Sequence, residues 1–361
     1  PELVRLVVKD GCEVKTILTQ NAARFCARDA ISAISGNSVY TGIFEPVFLE
    51  EGHTELAKWP DVFVVAPATA NTVAKLAYGV ADNLLTTTYL AARCPKLVAP
   101  SMNTDMYDAE ALQKNIKTLE ARQAAVLPPD VGELACKTYG IGRMPDPWVI
   151  VEASFRTIGP RPLAGKRVVI SAGASAEPVD DVRILTNRSS GKMGAALARS
   201  AYRMGADVSL ILGKSTVCPV PPVQTVHVDT IESFRKAYAR LAPAADYFIA
   251  VAAIGDFVPL KVAKGKMKRA TGARTLELKS SPDLLSEISK KKKKTAKFIG
   301  FALETELNES AAKSKLREKH LDAIFLNRVS AMGSDENAGV AISARGRRRV
   351  FKTMPKQVLS E

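Results

Sequence analysis

Short apolar segments alternate with amphipathic ones along the first half of the chain. Leu3 and Leu6 lie on one face of a predicted helix over Glu2–Lys9. Gly11 ends this helix, and residues 12–19 are predicted to form the next strand. A parallel α/β domain normally places a strand before such a helix, and the chain does not start with Met. We therefore expect the natural protein to have further residues at its N-terminus.

Two predicted strands of the first half are each followed by a loop of small and polar residues. Residues 62–65 and 96–99 are the strands, and residues 67–72 and 100–107 are the loops. Apolar positions over residues 73–80 have helical spacing. Such alternation indicates βαβ units around a parallel sheet, in which ligands bind at the carboxyl ends of the strands. Both loops are therefore predicted to bind a ligand.

The alternation restarts after a connector that contains Pro and Gly, residues 157–164. Further strands are predicted over residues 167–171, 207–212, 247–250, 298–301 and 323–326, and helices over residues 191–204 and 308–319. A length of 361 residues also favours two domains over one. We predict an α/β protein of two doubly wound domains with mostly parallel sheets, residues 1–156 and 165–361.

Composition excludes several classes of protein. The chain is 47% hydrophobic and 24% charged, and no apolar run approaches the ~20 residues that cross a bilayer. No signal segment opens the chain, so we expect a cytoplasmic protein without membrane contacts. The five cysteines include no CxxC pair and the three histidines are far apart, which argues against a disulfide framework or a zinc site.

The net charge of +14 fits a nucleic-acid-binding protein or an enzyme with phosphorylated substrates. Basic runs at residues 290–294 and 345–349 are predicted to be solvated surface. Aromatic residues make up 6% of the chain and do not cluster, so a base-stacking surface is not predicted. Nucleic-acid binding therefore stays a remote alternative. No GxGxxG follows a predicted strand, which disfavours a nicotinamide dehydrogenase.

Four motifs in the first half occur in a characteristic order. The first is His53 followed by Trp-Pro-Asp at 59–61, and the second is Ala-Pro-Ala-Thr-Ala-Asn-Thr at 66–72 with Lys75 and Gly-Val-Ala-Asp-Asn at 79–83. The third is Pro-Ser-Met-Asn-Thr-Asp-Met at 100–106. The fourth is Leu-Ala-Cys at 134–136, which leads to Gly-Ile-Gly-Arg-Met at 140–144. In this order they resemble the flavin-dependent cysteine decarboxylases, phosphopantothenoylcysteine decarboxylases in particular. The resemblance implies a flavodoxin-like or Rossmann-like domain.

The resemblance implies that FMN oxidises the substrate thiol, which makes loss of CO2 easy, and then returns the electrons. Cys136 matches the acid on a mobile flap, and a thiol suits that role because its pKa is tunable. His53 matches an imidazole near the substrate thiol. Asn103 matches the amide that holds the substrate carboxylate. Without the resemblance, each of the three would have an ordinary structural interpretation. His53 would be a surface residue, Asn103 a turn residue and Cys136 a packed core residue.

The resemblance also implies four flavin contacts, Thr69, Asn71, Thr72 and Met102. The family's first strand and phosphate loop would precede Pro1, so we expect this chain to bind FMN weakly. The sequence departs from the family at Lys137, where Gly is usual, and at Tyr107, where Trp is usual.

The second half contains Val-Arg-Ile-Leu-Thr-Asn-Arg-Ser-Ser-Gly-Lys-Met at 182–193. Supporting segments are residues 173–180, 252–257, 266–269, 281–283 and 300–305. Together they resemble the phosphopantothenate–cysteine ligase domain that bacteria fuse to the decarboxylase. The implied reaction activates a carboxylate with CTP and Mg2+ as an acyl-CMP, which the cysteine amine then attacks. Two anions react in the first step, so the site must neutralise charge.

The ligase resemblance assigns roles to individual residues. Asn187 matches the residue that secures the acyl intermediate, Lys266 matches a lysine on a closing loop, and Asp256 matches the acid of the nucleotide site. The implied phosphate and nucleotide contacts are Ser189, Ser190, Gly191, Lys192, Asp256, Lys266, Phe301, Lys315 and Lys319. The metal ligands stay unassigned, because the triphosphate itself is expected to hold Mg2+. Departures occur at Asp181, Gly255, Arg269 and Ser281, and the choice of CTP over ATP rests on the resemblance alone.

The leading prediction is a bifunctional enzyme of coenzyme A biosynthesis that acts on phosphopantothenate, cysteine and CTP. In the nearest alternative only the ligase is active, and the first half serves as an oligomerisation scaffold. The resemblance implies a homo-oligomer in both cases, with trimeric contacts in the decarboxylase and dimeric contacts in the ligase.

Overall fold

The computed structural model describes residues 1–42, 46–217, 222–268 and 275–361, without the side chains of residues 46–51. It divides into two compact units, Pro1–Gly159 and Pro160–Glu361. Each unit has hydrophobic clusters of its own. No helix in the described part of the chain is long and apolar enough to span a bilayer.

The first unit contains eight helices among its described residues. They are Glu2–Lys9 (α1), Arg28–Ser35 (α2), Pro46–Lys58 (α3), Ala70–Tyr78 (α4), Leu84–Ala91 (α5), Thr104–Asp108 (α6), Glu110–Ala121 (α7) and Pro147–Ile158 (α8). The strands are Thr16–Ile17 (β1), Val39–Tyr40 (β2), Phe63–Ala68 (β3), Lys96–Pro100 (β4), Ala125–Val126 (β5), Asp130–Glu133 (β6) and Tyr139–Arg143 (β7). The predicted helix over Glu2–Lys9 is confirmed.

A parallel sheet in the order β3-β4-β5 forms the centre of the first unit. Helix α4 buries Val73 and Leu76 in the same cluster as Leu119 of α7. The predicted strand over residues 12–19 is only two residues long and pairs with β2, because the rest of that segment is turn and loop. The predicted loop over residues 67–72 is shorter than expected, since β3 continues to Ala68 and α4 begins at Ala70.

The second unit contains the longer sheet. Its strands are Arg167–Ala172 (β8), Ala176–Pro178 (β9), Ile184–Thr186 (β10), Asp207–Leu212 (β11), Gln224–His227 (β12), Tyr247–Ala250 (β13), Phe257–Pro259 (β14), Leu278–Ser280 (β15), Lys297–Glu304 (β16), Ala323–Arg328 (β17), Glu336–Ser343 (β18) and Arg348–Pro355 (β19). Its helices are Lys192–Arg203 (α9), Ile231–Leu241 (α10), Leu284–Ser289 (α11), Glu309–Glu318 (α12) and Lys356–Ser360 (α13).

Eight strands form one sheet in the order β12-β11-β8-β13-β16-β17-β18-β19. The first six are parallel, and β18 and β19 add an antiparallel hairpin at one edge. The chain order reverses direction between β8 and β13, which is where α/β sheets bind ligands. The prediction of a mostly parallel α/β fold is confirmed, but the hairpin was not predicted.

Aromatic side chains fill the core on one face of this sheet. Phe234, Phe248 and Phe298 are fully buried, and the rings of Phe248 and Phe298 stack with centroids 5.2 Å apart. On α9 the residues facing the sheet are small, and Gly194 packs directly against Ala172 of β8. Helix α9 therefore lies close to the sheet, and its first turn reaches the carboxyl end of β8.

Candidate functional site

A cavity of about 770 Å³ opens at the carboxyl ends of the central strands of the second unit. Nine of the residues predicted for nucleotide and intermediate binding line it: Asn187, Ser189, Ser190, Gly191, Lys192, Asp256, Phe301, Lys315 and Lys319. They come from four separate stretches of chain, so the fold, and not their spacing in sequence, brings them together. Lys266 is absent from the described lining of this cavity.

The segment that enters α9 provides donors to this cavity. The amide nitrogen Nδ2 of Asn187 donates to the Ala253 carbonyl at 3.2 Å, which fixes the segment across the ends of β8 and β13. Gly191 is the N-cap residue with φ of 78°, a left-handed conformation that suits glycine. In the described part of the chain the N–H of Lys192 donates to Ser190 Oγ at 3.5 Å, while no side chain caps the N–H groups of Met193 and Gly194, which are open to an anion.

Among the described residues four lysines line the cavity, and three of them are held by a carboxylate. Lys192 Nζ lies 2.6 Å from Asp335 Oδ1, Lys315 Nζ lies 2.6 Å from Glu304 Oε1, and Lys319 Nζ lies 3.1 Å from Asp283 Oδ2. The bond from Lys192 lowers the pKa of the Asp335 carboxyl. The wall thus presents cations whose positions are set before any ligand arrives.

Lys266 is exposed on a loop that is anchored at Asp180 and Arg183. The backbone N–H of Met267 donates to Asp180 Oδ2 at 3.1 Å, and the Arg183 guanidinium donates to the Met267 carbonyl at 3.3 Å. Asp180 is buried and also accepts from the N–H of Val182 and from Arg183. The loop is therefore held at Met267, and Arg269, one of the departures noted above, lies outside the described residues.

Hydrogen bonds outweigh burial in setting the acidity of Asp180. Burial alone raises the pKa of this carboxyl, but backbone N–H groups of Val182, Arg183 and Met267, with the Arg183 side chain, lower the pKa to about 2. Asp180 is consequently ionised at neutral pH.

Sequence reasoning missed several residues of the cavity wall. Buried Asn337 on β18 accepts from Nδ2 of Asn327 on β17 at 3.4 Å, and Lys356 reaches the wall from α13. Asn337 and Lys356 belong to no motif. The pairing of β18 beside β17 places Asn337 here, and Lys356 comes from α13, which follows β19. In the described part of the chain no group of three or more His, Cys, Asp or Glu side chains could hold a metal ion.

In the first unit a hairpin places Cys136 beside Asn103. Strands β6 and β7 pair antiparallel, and β7 is tied to the end of β4 by bonds from Thr104 Oγ1 to the Ile141 carbonyl at 2.8 Å and from Met102 N to the Gly142 carbonyl at 2.9 Å. Asn103 Nδ2 consequently lies 3.5 Å from Cys136 Sγ in the connecting turn.

Donors surround the exposed sulfur of Cys136. The hydroxyl of Thr138 lies 3.0 Å from Sγ. The pKa of the thiol is lowered, first by the Thr138 side chain, then by the Thr138 backbone N–H and the Asn103 amide. Lys137 between them has φ of 63°, in the left-handed region that favours glycine, the residue that the resemblance implies at this position.

The candidate flavin contacts lie at the adjacent ends of β3 and β4. Thr69 caps α4, accepting from Thr72 N at 3.3 Å, and the side chains of Thr69 and Asn71 face solvent. Met102 is half-buried and packs on the same cluster as α4. A set of exposed polar groups beside an apolar thioether fits a ligand such as flavin, which has an apolar ring with polar edges.

His53 lies on a different element from Asn103 and Cys136. It is half-buried on α3, next to Gly52, whose φ of 66° interrupts the helix. Its role near the substrate thiol stays a prediction.

Two family models match the chain and together cover nearly all of it. The model described as the DNA/pantothenate metabolism flavoprotein C-terminal domain matches residues 163–361, and the model described as Flavoprotein matches residues 1–159. These ranges contain the two sites described above.

Whole proteins with similar sequences match over both units. The coenzyme A biosynthesis bifunctional protein CoaBC of Bacillus subtilis (strain 168) is 40% identical over 365 residues, covering 98% of this chain and 89% of that protein. CoaBC of Vibrio cholerae is 38% identical over 340 residues, covering 93% and 85%. A cysteine/cysteine sulfinic acid decarboxylase from an unknown prokaryotic organism is 40% identical over 314 residues, covering 84% and 87%.

Proposed function

The chain belongs to the CoaBC family of bifunctional coenzyme A biosynthesis proteins, and on that premise we propose which of its residues take part in each of the two reactions. The protein is an enzyme with a phosphopantothenate–cysteine ligase and a phosphopantothenoylcysteine decarboxylase. We assign the ligase to the second unit and the decarboxylase to the first. The observation that carries the ligase assignment is the single cavity that nine of the predicted residues line.

In the first ligase step a carboxylate oxygen of phosphopantothenate bonds to the α-phosphorus of CTP, and the bond from phosphorus to pyrophosphate breaks. Both reactants are anions, so positive charge on the protein lowers the barrier. We assign the triphosphate to the first turn of α9, with Ser189, Ser190, Gly191 and Lys192. Lys315 and Lys319 meet the same ligand from α12, with Mg2+ bound mainly by the phosphates.

In the second step the amine of cysteine attacks the acyl carbon, CMP leaves and the nitrogen loses a proton. We assign Asn187 to hold the acyl group, because its amide is already anchored at Ala253 beside the cavity. Lys266 is assigned to reach the reacting phosphate when its loop closes. Asp256 and Phe301 are assigned to the nucleotide.

Pyrophosphate release tests the ligase assignment. Purified protein is supplied with phosphopantothenate, Mg2+, cysteine and either CTP or ATP. We expect release that depends on phosphopantothenate and is faster with CTP. Asn187→Ala and Lys266→Ala should lower the rate of product formation by roughly 10²-fold or more, the scale of losing one group that stabilises a transition state.

Lys264→Ala provides the matched control, because Lys264 is exposed on the same loop two residues before Lys266. Its rate should equal that of the unmodified chain. A folded sample that releases no pyrophosphate with either nucleotide would contradict the ligase assignment.

For the decarboxylase we assign Asn103 to the substrate carboxylate and Cys136 to proton donation, with His53 near the substrate thiol. Thr69, Asn71, Thr72 and Met102 are the residues assigned to hold FMN. Bound FMN supplies the electron acceptor for oxidation of the substrate thiol. The donors around Cys136 support an acid role, because they stabilise the thiolate that remains after the proton has left.

FMN binding and CO2 release test the first unit separately. Titration with FMN, followed by flavin fluorescence, should show saturable binding that weakens in Asn71→Ala. CO2 release from phosphopantothenoylcysteine should not continue past the first turnover in Cys136→Ser, because the proton that Cys136 is assigned to donate is needed only after CO2 has left. An intact ligase with neither FMN binding nor CO2 release would favour the alternative in which the first unit is an oligomerisation scaffold.

A further inference from the structure

We propose that Lys356 is a positioning residue of the ligase site, which acts through residues 331–335 on Lys192. The inference rests on the proposed ligase function and adds a residue that neither the motifs nor the comparisons indicate.

Lys356 is almost completely buried, with 7% of its surface exposed. Its ammonium donates to the carbonyl of Ala331 at 3.0 Å and to the carbonyl of Ser334 at 2.5 Å. Its backbone N–H donates to the Asp335 carbonyl at 2.9 Å. One residue thus holds both ends of a short irregular segment that has few other backbone bonds.

The same segment holds Lys192 from its other side. Lys192 Nζ donates to the Gly333 carbonyl at 3.2 Å and to Asp335 Oδ1 at 2.6 Å. Asp335 is almost fully exposed, so its own packing does not determine where it stands. The position of the Lys192 ammonium therefore depends on the segment, and the position of the segment depends on Lys356.

The segment is also part of the cavity. Ala331, Met332 and Gly333 line it, together with Lys356 itself. Lys192 follows directly after the Ser189–Gly191 stretch assigned to the phosphates. A shift of the segment would consequently move both the wall and the cation that the triphosphate meets.

The chemistry of Lys356 is unusual for a residue that only fills space. Burying an ammonium is unfavourable unless it is hydrogen-bonded. Burial lowers the pKa of Lys356, the charge of Lys192 lowers the pKa further, and Asp335 opposes both. Methionine would fill the same volume without the cost of burying a charge. The presence of lysine therefore indicates that this position needs the N–H donors that bind the carbonyls of Ala331 and Ser334.

The test compares Lys356→Met with Asp335→Asn and with the double variant, in the full chain. Met keeps the length and the apolar stem but has no donors. We expect the KM for CTP to rise about tenfold in each single variant, the scale of one charge-assisted hydrogen bond, while the KM for cysteine stays within about twofold. The double variant should show no more than the larger single effect, because both changes break one chain of contacts.

Lys352→Met is the matched control, since Lys352 is an exposed lysine on β19 four residues earlier. It should leave both KM values unchanged. If Lys356→Met does not fold, Asp335→Asn still tests the link between the segment and Lys192 on which the inference depends, because Asp335 is exposed and its loss leaves the core intact. An unchanged KM for CTP in folded Asp335→Asn would then overturn the inference.

Folded variants that retain the KM for CTP would overturn the inference while leaving the ligase assignment in place, as would equal rises in the KM values of CTP and cysteine. Additive effects in the double variant would likewise overturn it. An unmodified chain without pyrophosphate release would contradict the ligase assignment, and this inference with it.

Discussion

At the scale of single residues, the surroundings of Cys136 show how a small motif sets an acidity. Thr138 places its hydroxyl and its backbone N–H on the same sulfur, and Asn103 adds an amide from the end of β4. A thiol whose anion is stabilised gives up its proton more readily. Lys137 must adopt a left-handed conformation to allow this turn.

Thr138→Val should raise the pKa of Cys136, because valine has the same shape but no hydroxyl. The inflection of the alkylation rate of Cys136 with iodoacetamide should therefore move to higher pH. Peptide mass spectrometry measures that rate site by site, and Cys94 serves as an internal reference because burial raises its pKa and Thr138 does not contact it. An unchanged profile for Cys136 would show that the hydroxyl has no such effect.

Asp180→Asn should destabilise the second unit at neutral pH. The folded state holds the pKa of Asp180 at about 2, below its ordinary value of 3.8. The ionised carboxylate therefore contributes its full stabilisation when the pH is above 3.8. This contribution is lost as the pH falls toward 2, and the difference between the two proteins should shrink over that window. Thermal unfolding of both at pH 7, 4 and 2.5 measures it, and a difference independent of pH would contradict the prediction.

The sequence indicates some of these residues and not others. Cys136 and Asn103 each stand in a motif, so their roles could be predicted from the resemblance. The contact between them depends on the hairpin register, and the buried position of Lys356 depends on the strand order at the far edge of the sheet. Neither register nor strand order leaves a local signal in the residues concerned.

At the scale of elements, predictions succeeded where strands are buried on both faces. Residues 207–212 and 247–250 were predicted with the bounds that the structure has. Strand β19 was missed because it is an exposed edge rich in arginine, which has no apolar pattern. The predicted helix over residues 308–319 is confirmed with Asn308 as its cap, whose side chain accepts from Ala311 N at 3.0 Å.

Helix α10 offers a test of local capping. Thr230 and Ser233 form a reciprocal pair, in which Ser233 N donates to Thr230 Oγ1 at 3.3 Å and Thr230 N donates to Ser233 Oγ at 3.0 Å. Thr230→Ala should lower the opening free energy of α10 by about 1 kcal/mol. Hydrogen exchange of the α10 amides measures this, and Thr230→Ser, which keeps the hydroxyl, should exchange like the unmodified chain. Equal exchange in Thr230→Ala would contradict the prediction.

At the scale of the whole molecule, each unit has a core of its own. The clusters that contain Val73 and Leu97 lie within the first unit, and those that contain Phe248 and Leu210 lie within the second. The predicted connector over residues 157–164 includes this division, although α8 continues to Ile158. The domain boundaries themselves stay predictions.

A fragment of residues 160–361 should therefore fold alone. Its eight-stranded sheet and its cavity need no residue of the first unit. We expect one cooperative thermal transition and a KM for CTP within about threefold of that of the full chain. Circular dichroism and pyrophosphate release measure these quantities, and a fragment that is unfolded or inactive would show that the second unit depends on the first.

The paired lysines of the cavity also bear on how the enzyme responds to ionic strength. Carboxylates of the protein already pair with three lysines of the wall, Lys192, Lys315 and Lys319. A triphosphate that binds therefore replaces a protein carboxylate and displaces few ions from solution. A cation exposed to water would instead release a bound counterion to the bulk, and its affinity would fall steeply with added salt. Nucleotide affinity in this enzyme should accordingly vary little between dilute buffer and buffer of high ionic strength, despite the net charge of +14.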